Sequence, residues 1–155
     1  MHNKITIVVA DDNQEFANMI CKFLNNEEDL EVVGVANDGK EAIDMILTKE
    51  PDIALLDVVM PHVDGIGVLE KVFSLPIKKK PKCIMLSAVG QDSITQKAIA
   101  LGAEYYMVKP FELEMVVRRI REIHEGYKNV IQNIAQREIK TSYIEVPAVK
   151  TMETL

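Results

Sequence analysis

The chain alternates short apolar runs with amphipathic stretches of helical spacing, and each kind occurs five times. The apolar runs are rich in β-branched and other aliphatic residues, with few polar residues inside them. Strands that are buried on both faces have this near-continuous apolar character, whereas strands with one solvated face alternate apolar and polar residues. The pattern therefore predicts an α/β domain in which helices cover both faces of a parallel sheet.

Right-handed crossovers between parallel strands leave few ways to order five strands. The common solution for a small domain is the flavodoxin-like order 2-1-3-4-5. We therefore expect a doubly wound, five-stranded parallel sheet flanked by five helices. The predicted strands cover residues 5–10, 31–36, 52–57, 83–87 and 104–108. The predicted helices begin at Asn13, after the 37–39 turn, after the loop that contains Gly65, at Ile94 and at Pro110.

Two of these helices have a clear apolar face. The apolar positions of the first helix are Phe16, Met19, Ile20, Phe23 and Leu24, and those of the second are Ala42, Ile43, Ile46 and Leu47. Each set recurs at helical spacing. Gly102 is a predicted C-cap of the fourth helix, because glycine readily adopts the left-handed backbone that ends many helices.

The composition excludes some classes of function. The 155 residues suit one domain with a tail, and the net charge is −6. Contacts with nucleic acid phosphates need clustered Lys and Arg, and the one basic run, residues 78–80, is typical of a solvated loop. We therefore expect this region to contact no nucleic acid. No apolar run approaches the roughly 18 residues of a membrane span, and no signal-peptide pattern is present, so we expect no membrane association.

The two cysteines, Cys21 and Cys83, lie inside apolar stretches and are predicted to be small buried hydrophobes. Their spacing suggests neither a zinc site nor a disulfide framework. Because disulfides are rare in reducing compartments, the sequence favours a cytoplasmic location.

Polar residues follow four of the five predicted strands at the point where each strand ends. Asp11 and Asp12 follow the first, Asp57 ends the third, Ser87 ends the fourth and Lys109 follows the fifth. In an open parallel sheet, ligands bind beyond the carboxyl ends of the strands, at the point where the strand order reverses. We therefore expect these five side chains to form one site.

Three carboxylates in one site repel one another, and a bound divalent cation relieves that repulsion. Mg2+ prefers oxygen ligands and keeps several of its waters, and Mn2+ or Ca2+ could take its place. We expect Asp12 and Asp57 to bind the metal directly and Asp11 to act through a metal-bound water. The backbone carbonyl of Val59 is a further candidate ligand.

The same residues suit phosphoryl transfer. Asp57 is the candidate nucleophile, which would form an acyl phosphate. Lys109 would pair with a phosphoryl oxygen as a point charge, and Ser87 would donate its hydroxyl to another oxygen. The added charge would draw Ser87 and Lys109 toward Asp57, so that their loops move and the protein surface changes.

Four motifs together resemble the response-regulator receiver family, which is also called CheY-like. They are Ala10–Asn13, Asp57–Gly65, Leu86–Ala88 and Val108–Phe111, and the resemblance covers residues 3–125. It implies a signalling domain rather than a turnover enzyme. Such a domain accepts a phosphoryl group from a phosphohistidine on a sensor kinase or a phosphotransferase. It also implies an aromatic switch residue at Tyr106 and a cis peptide bond before Pro110.

Within the family, residues 9–13, 61–66 and 86–92 resemble receivers of the regulators of sporulation in endospore-forming bacteria. That resemblance implies a phosphorelay, phosphorylation-dependent homodimerisation and control of transcription through a separate DNA-binding domain. A receiver without an output domain is the alternative. We expect residues 1–126 to form the receiver. Residues 127–155 are expected to be a tail, helical to about residue 140 and then irregular, that leads toward an output domain absent from this chain.

Each candidate residue also has a simpler interpretation. Asp11 to Asn13 could be a helix N-cap region, Lys109 a surface lysine, and Tyr106 an aromatic that packs on the last helix. The joint placement at one sheet edge favours the receiver site over these interpretations. An aspartyl phosphatase would need a second Asp where Val59 stands. An interaction module that is never phosphorylated would usually have lost part of the acidic set.

Overall fold

The computed structural model describes residues 3–88 and 92–126. The strands are β1 (Ile5–Ala10), β2 (Leu30–Ala36), β3 (Ile53–Asp57), β4 (Lys82–Ser87) and β5 (Tyr105–Val108). The helices are α1 (Gln14–Asn25), α2 (Gly39–Lys49), α3 (Gly65–Ser74), α4 (Asp92–Leu101) and α5 (Leu113–Glu125). All neighbouring strands are parallel, and their order is β2-β1-β3-β4-β5. The predicted fold is therefore confirmed.

Helices cover both faces of the sheet, and β3 illustrates how. Ile53 and Leu55 pack in the cluster that contains the buried residues of α1 and α5. Ala54 and Leu56 pack in the other cluster, with α2, α3 and α4. Successive side chains of a strand point to opposite faces, so a strand between two apolar layers has to be apolar at every position.

Three helices start at the carboxyl edge of the sheet with side-chain caps. Asn13, Asp38 and Asp64 each accept a hydrogen bond from the backbone N–H three residues later. Such caps satisfy N–H groups that have no partner inside the helix. They also fix where the loops after β1, β2 and β3 join their helices.

The loop after β3 lies directly on the start of α2. A Cβ atom built on Gly39 would lie 1.9 Å from the carbonyl oxygen of Val63 and 2.6 Å from its carbonyl carbon. Nearby, Nδ1 of His62 lies 3.1 Å from a carboxylate oxygen of Asp38. Backbone therefore packs against backbone here without room for a side chain.

The start of the last helix was predicted wrongly. The helix predicted to start at Pro110 starts at Leu113, because Glu112 still has an extended backbone at φ −83° and ψ 140°. Pro110 belongs to the segment between β5 and α5, and the peptide bond between Lys109 and Pro110 is cis.

The apolar faces of α1 and α2 are narrower than predicted. Met19 is 48% exposed and Leu47 is 40% exposed, although both belong to the predicted apolar patterns of these helices. Cys83 is buried as predicted, but Cys21 is half-buried because it lies at the edge of the buried face of α1. In each helix the covered stripe is set by residues that sit over the sheet, such as Ile20 in α1 and Ile46 in α2.

Helix α5 ends at Glu125, and Gly126 follows with a positive φ of 111°. Gly102 has a positive φ of 112° after α4, at the place predicted for a cap. The predicted helical segment from 127 to 140 and the rest of the tail lie outside the described residues. In the described part of the chain, no helix has the length and apolar character to cross a membrane.

Candidate functional site

The five predicted site residues lie at the carboxyl edge of the sheet. Asp57 and Ser87 are the last residues of β3 and β4, while Asp11 directly follows β1 and Lys109 directly follows β5. Asp12 comes next after Asp11. Because β1 and β3 are neighbours and the chain turns to opposite sides of the sheet after them, the three carboxylates meet at the point where the strand order reverses.

The carboxylates of Asp11, Asp12 and Asp57 form a compact acidic cluster. One oxygen from each lies within 4.8 Å of the others. Asp11 and Asp57 are buried, whereas Asp12 is exposed. Three negative charges face one ammonium group, that of Lys109, so the cluster carries an excess of two. This charge, together with ligand atoms that are all oxygens, fits a hard divalent cation such as Mg2+.

Both carboxylate oxygens of Asp11 already have partners. Oδ1 accepts a hydrogen bond of 2.8 Å from the backbone N–H of Asn13. Oδ2 accepts a hydrogen bond of 3.0 Å from Nζ of Lys109. The side chain is completely buried, and charge-assisted hydrogen bonds of this kind hold a buried carboxylate in one orientation.

Asp57 is in a different electrostatic situation. Burial raises the pKa of its carboxyl, and the nearby charge of Asp11 raises it further. Lys109 and a hydrogen bond from the backbone N–H of Val59 lower the pKa, while Asp12 again raises it. Together these contributions raise the pKa of Asp57 to about 6, so the folded protein disfavours the charged form of this carboxyl.

The ammonium group of Lys109 lies between two carboxylates and an aromatic ring. Its Nζ atom is 3.0 Å from Oδ2 of Asp11 and 3.9 Å from Oδ2 of Asp57. It also lies 4.3 Å from the centre of the Phe16 ring. The sequence predicted that Lys109 would pair with a phosphoryl oxygen on Asp57 and that Phe16 would be an ordinary apolar residue of α1. No pattern in the sequence distinguishes a ring that faces a lysine from one that faces the core.

Ser87 and Lys109 are linked through the backbone. The N–H of Lys109 donates to the carbonyl oxygen of Ser87 at 2.6 Å. The hydroxyl of Ser87 donates to the carbonyl oxygen of Ala88 at 2.6 Å, so it has to rotate before it can donate to a group on Asp57. A movement of either residue would therefore be transmitted to the other strand.

Tyr106 and Val59 lie at the borders of the site. Tyr106 is half-buried against the α2, α3 and α4 cluster, which excludes the alternative that it packs on α5. Its hydroxyl is buried and has no hydrogen-bond partner among the described residues. The side chain of Val59 is 70% exposed, and the role of its carbonyl as a metal ligand stays a prediction.

Solved receiver domains resemble this chain in fold and, to a lesser degree, in sequence. Residues 7–121 match the family model of the response regulator receiver domain. The receiver domain of the response regulator NarL from Mycobacterium tuberculosis is 30% identical, with 81% of this chain and 99% of that chain covered and a TM-score of 0.73. The receiver domain of the Francisella response regulator 1452 is 28% identical, with coverages of 79% and 98% and a TM-score of 0.71.

A third relative is the signal receiver domain of a DNA-binding response regulator, merR, from Colwellia psychrerythraea. It is 27% identical, with coverages of 79% and 100% and a TM-score of 0.71. The family model matches more than half of the chain, and these relatives are covered almost completely. This chain, with five parallel strands and an acidic cluster at their carboxyl edge, therefore belongs to the response regulator receiver family, the signalling domains of two-component systems.

Proposed function

We propose that the chain accepts a phosphoryl group on Asp57 from a phosphohistidine of a sensor kinase or a histidine phosphotransferase. The observation that carries this proposal is the division of contacts among the carboxylates. Asp11 has both oxygens engaged, and Asp12 is exposed. Asp57 is buried and has a raised pKa, with the ammonium of Lys109 3.9 Å away. It is the carboxylate whose charged form burial and its neighbours disfavour, and Lys109 and a bound cation would offset the further negative charge that a phosphoryl group brings.

In the transfer, the bond from the histidine ring nitrogen to phosphorus breaks and a bond from an oxygen of Asp57 to phosphorus forms. The electron pair of the broken bond stays on the ring nitrogen, which takes up a proton from solvent. Lys109 pairs with a phosphoryl oxygen, and Ser87 turns its hydroxyl to another. We propose a phosphoacceptor that catalyses only its own phosphorylation and a slow dephosphorylation, rather than a turnover enzyme.

We propose Mg2+ as the cofactor, which Mn2+ or Ca2+ could replace. Asp12, Asp57 and the carbonyl of Val59 would hold it, and Asp11 would contribute through a water. When bound, the cation neutralises the negative charge that gathers where the phosphoryl group is transferred. The support for it is the excess of two negative charges in a cluster of oxygen ligands.

The output is proposed to be a change of surface that promotes homodimerisation. Lys109 directly follows β5 and leads into α5, so its movement toward Asp57 would shift the face built from α4, β5 and α5. A separate DNA-binding domain, reached through residues 127–155, would read that change and control transcription of sporulation genes in the cytoplasm. One relative is the receiver of a DNA-binding response regulator, which supports the transcriptional part.

The test is phosphate uptake from a small phosphodonor such as acetyl phosphate with Mg2+, followed by intact mass. The wild type should gain one phosphoryl group, and Asp57→Asn should gain none. Asp44→Asn, an exposed Asp on α2, is the matched control and should react like the wild type. If Asp57→Asn reacts at the wild-type rate, the assigned nucleophile is wrong. No uptake by the wild type would favour an unphosphorylated interaction module.

The size of the protein in solution, measured with and without the phosphodonor, tests the proposed output. A phosphorylated chain that doubles in mass supports homodimerisation. A phosphorylated chain that stays a monomer would contradict it and favour a receiver without an output domain.

A further inference from the structure

The ring of Phe16 lies beside the site and faces the ammonium group of Lys109. The Nζ atom is 4.3 Å from the ring centre, which is within the range of a cation–π interaction. Phe16 is in the first turn of α1 and is half-buried. Its ring meets that of Phe111 edge to face, with centres 6.1 Å apart and planes at 80°. A second aromatic residue therefore fixes the orientation of the ring that faces Lys109.

A lysine needs such a restraint more than an arginine would. Its ammonium group is a compact point charge on a flexible stem and has no preferred fork geometry. In this site it could sit against any of three carboxylates, and its side chain is 27% exposed. The negative face of an aromatic ring attracts a cation without adding another charge to the cluster.

The two groups that contact Lys109, the ring of Phe16 and the carboxylate of Asp11, are both held by the turn at the start of α1. The side chain of Asn13 accepts from the N–H of Phe16 at 3.1 Å, and the N–H of Asn13 donates to Asp11 at 2.8 Å. Asp11 in turn accepts from Lys109 at 3.0 Å. The contacts form a closed circuit from Asp11 through Asn13 and Phe16 to Lys109 and back. Their spacing is thus set by one helix cap.

We propose that Phe16 is a positioning residue that acts through Lys109. It holds the ammonium group between Asp11 and Asp57, so that an incoming phosphoryl group meets a cation that is already in place. The effect on phosphoryl transfer rests on the proposed function of Asp57, whereas the contact itself does not. Without the ring, Lys109 spends more of its time away from the site and transfer slows.

The first experiment reads the contact in the unphosphorylated protein by NMR. Protons on the ε-carbon of Lys109 should be shifted upfield by the Phe16 ring current, and Phe16→Leu should remove this shift. Phe16→Tyr, which keeps a ring, should retain it. Lys80 lies 5.5 Å from the ring centre of Phe73 and is the internal control, whose shift should not change in either variant. An unchanged Lys109 signal in Phe16→Leu would overturn the proposal.

The second experiment measures the rate of phosphate uptake from acetyl phosphate with Mg2+. Phe16→Leu should slow uptake about fivefold, and Phe16→Tyr should restore most of the rate. Stability in urea is measured for each variant, so that only folded protein is compared. If Phe16→Tyr is as slow as Phe16→Leu, the ring does not position Lys109 and the proposal fails.

A double-mutant cycle separates positioning from a general structural role. In a Lys109→Met background, Phe16→Leu should have no further effect on the rate. An equal slowing in both backgrounds would show that Phe16 acts independently of Lys109 and would contradict the proposal. If the wild type takes up no phosphate, the proposed function of Asp57 fails, while the NMR result still decides the contact between Phe16 and Lys109.

Discussion

Strand β3 has an aspartate near each end, and the surroundings shift the pKa values of the two in opposite directions. At the amino end, Asp52 accepts from the N–H of Thr6 at 2.8 Å and from its hydroxyl at 3.1 Å, and pairs with Lys79 at 2.8 Å. Burial alone would raise the pKa of Asp52, but the hydrogen bonds from Lys79 and Thr6 outweigh burial and hold that pKa below its ordinary value.

At the carboxyl end, burial and the charges of the neighbouring carboxylates raise the pKa of Asp57 to about 6. The difference is one of partners, since both side chains are largely removed from solvent: 20% exposed for Asp52 and 11% for Asp57. A carboxylate that donors surround supports the fold, whereas the proposed cation would relieve the repulsion on one that lies beside other carboxylates. Acidic residues at the two ends of one strand can therefore serve stability and chemistry separately.

The largest change in the free energy of unfolding should come from removing the carboxylate of Asp52. Asp52→Ala leaves the N–H of Thr6 without its acceptor, and we expect the free energy of unfolding to fall by about 3 kcal/mol. Urea unfolding at neutral pH measures it. Asp44→Ala, at an exposed position on α2, should change stability by less than about 0.5 kcal/mol. If the two variants are equally stable, the hydrogen bonds of Asp52 do not support the fold.

Removing the carboxylate of Asp57 should raise the free energy of unfolding instead of lowering it. Asp57→Asn should stabilise the metal-free protein by about 2 kcal/mol at pH 7, because the charged carboxylate is disfavoured in the folded state. The folded-state pKa lies above the ordinary value of 3.8, so the folded protein binds this proton more tightly than the unfolded chain. The penalty in the wild type is therefore small below about pH 4, grows as the pH rises from about 4 to about 6, and is nearly constant above that.

The pH dependence provides the check on this second prediction. Unfolding free energies of the wild type and Asp57→Asn, measured between pH 4 and pH 8, should converge at the acidic end and separate at the neutral end. A constant difference over that range would mean that the charge of Asp57 is not the cause.

The smallest of the three effects should come from metal. With Mg2+ at ten times its dissociation constant, the wild type should gain about 1.4 kcal/mol of stability by mass action. Asp52→Asn, which leaves the acidic cluster intact, should gain as much, and Asp57→Asn clearly less. An equal gain in all three proteins would place the cation away from Asp57, and no gain at saturating Mg2+ would contradict the cofactor proposal.

The sequence was sufficient to predict the fold because the signals for it are local. Apolar runs such as 53–56 determine which segments are buried on both faces, and Asn13, Asp38 and Asp64 start their helices where capping residues are expected. The placement of the site residues at one edge followed from parallel strands. The start of α5 was wrong because a proline is compatible both with a first helical turn and with the extended segment before it.

Contacts inside the site were beyond the sequence, because they depend on distances between elements. Lys109 was predicted to pair with a phosphoryl oxygen on Asp57, and its contact with Asp11, the nearest carboxylate to it, was not foreseen. Phe16 could not be told from core residues of α1, and Met19 on the same face proved to be half-exposed. The acidic character of both ends of β3 was visible in the sequence. The sequence did not show which of the two aspartates has hydrogen-bond donors around it, because Thr6 lies on another strand.

The close packing of Gly39 against Val63 makes one position of this chain intolerant of any substitution. The atoms that a new Cβ would meet are backbone atoms, 1.9 and 2.6 Å away, and backbone cannot turn aside as the end of a flexible side chain can. The loop that would be displaced is the one that leaves Asp57. A variant could thus retain every charged residue of the receiver and still lose its signalling competence through a single methyl group on the neighbouring helix.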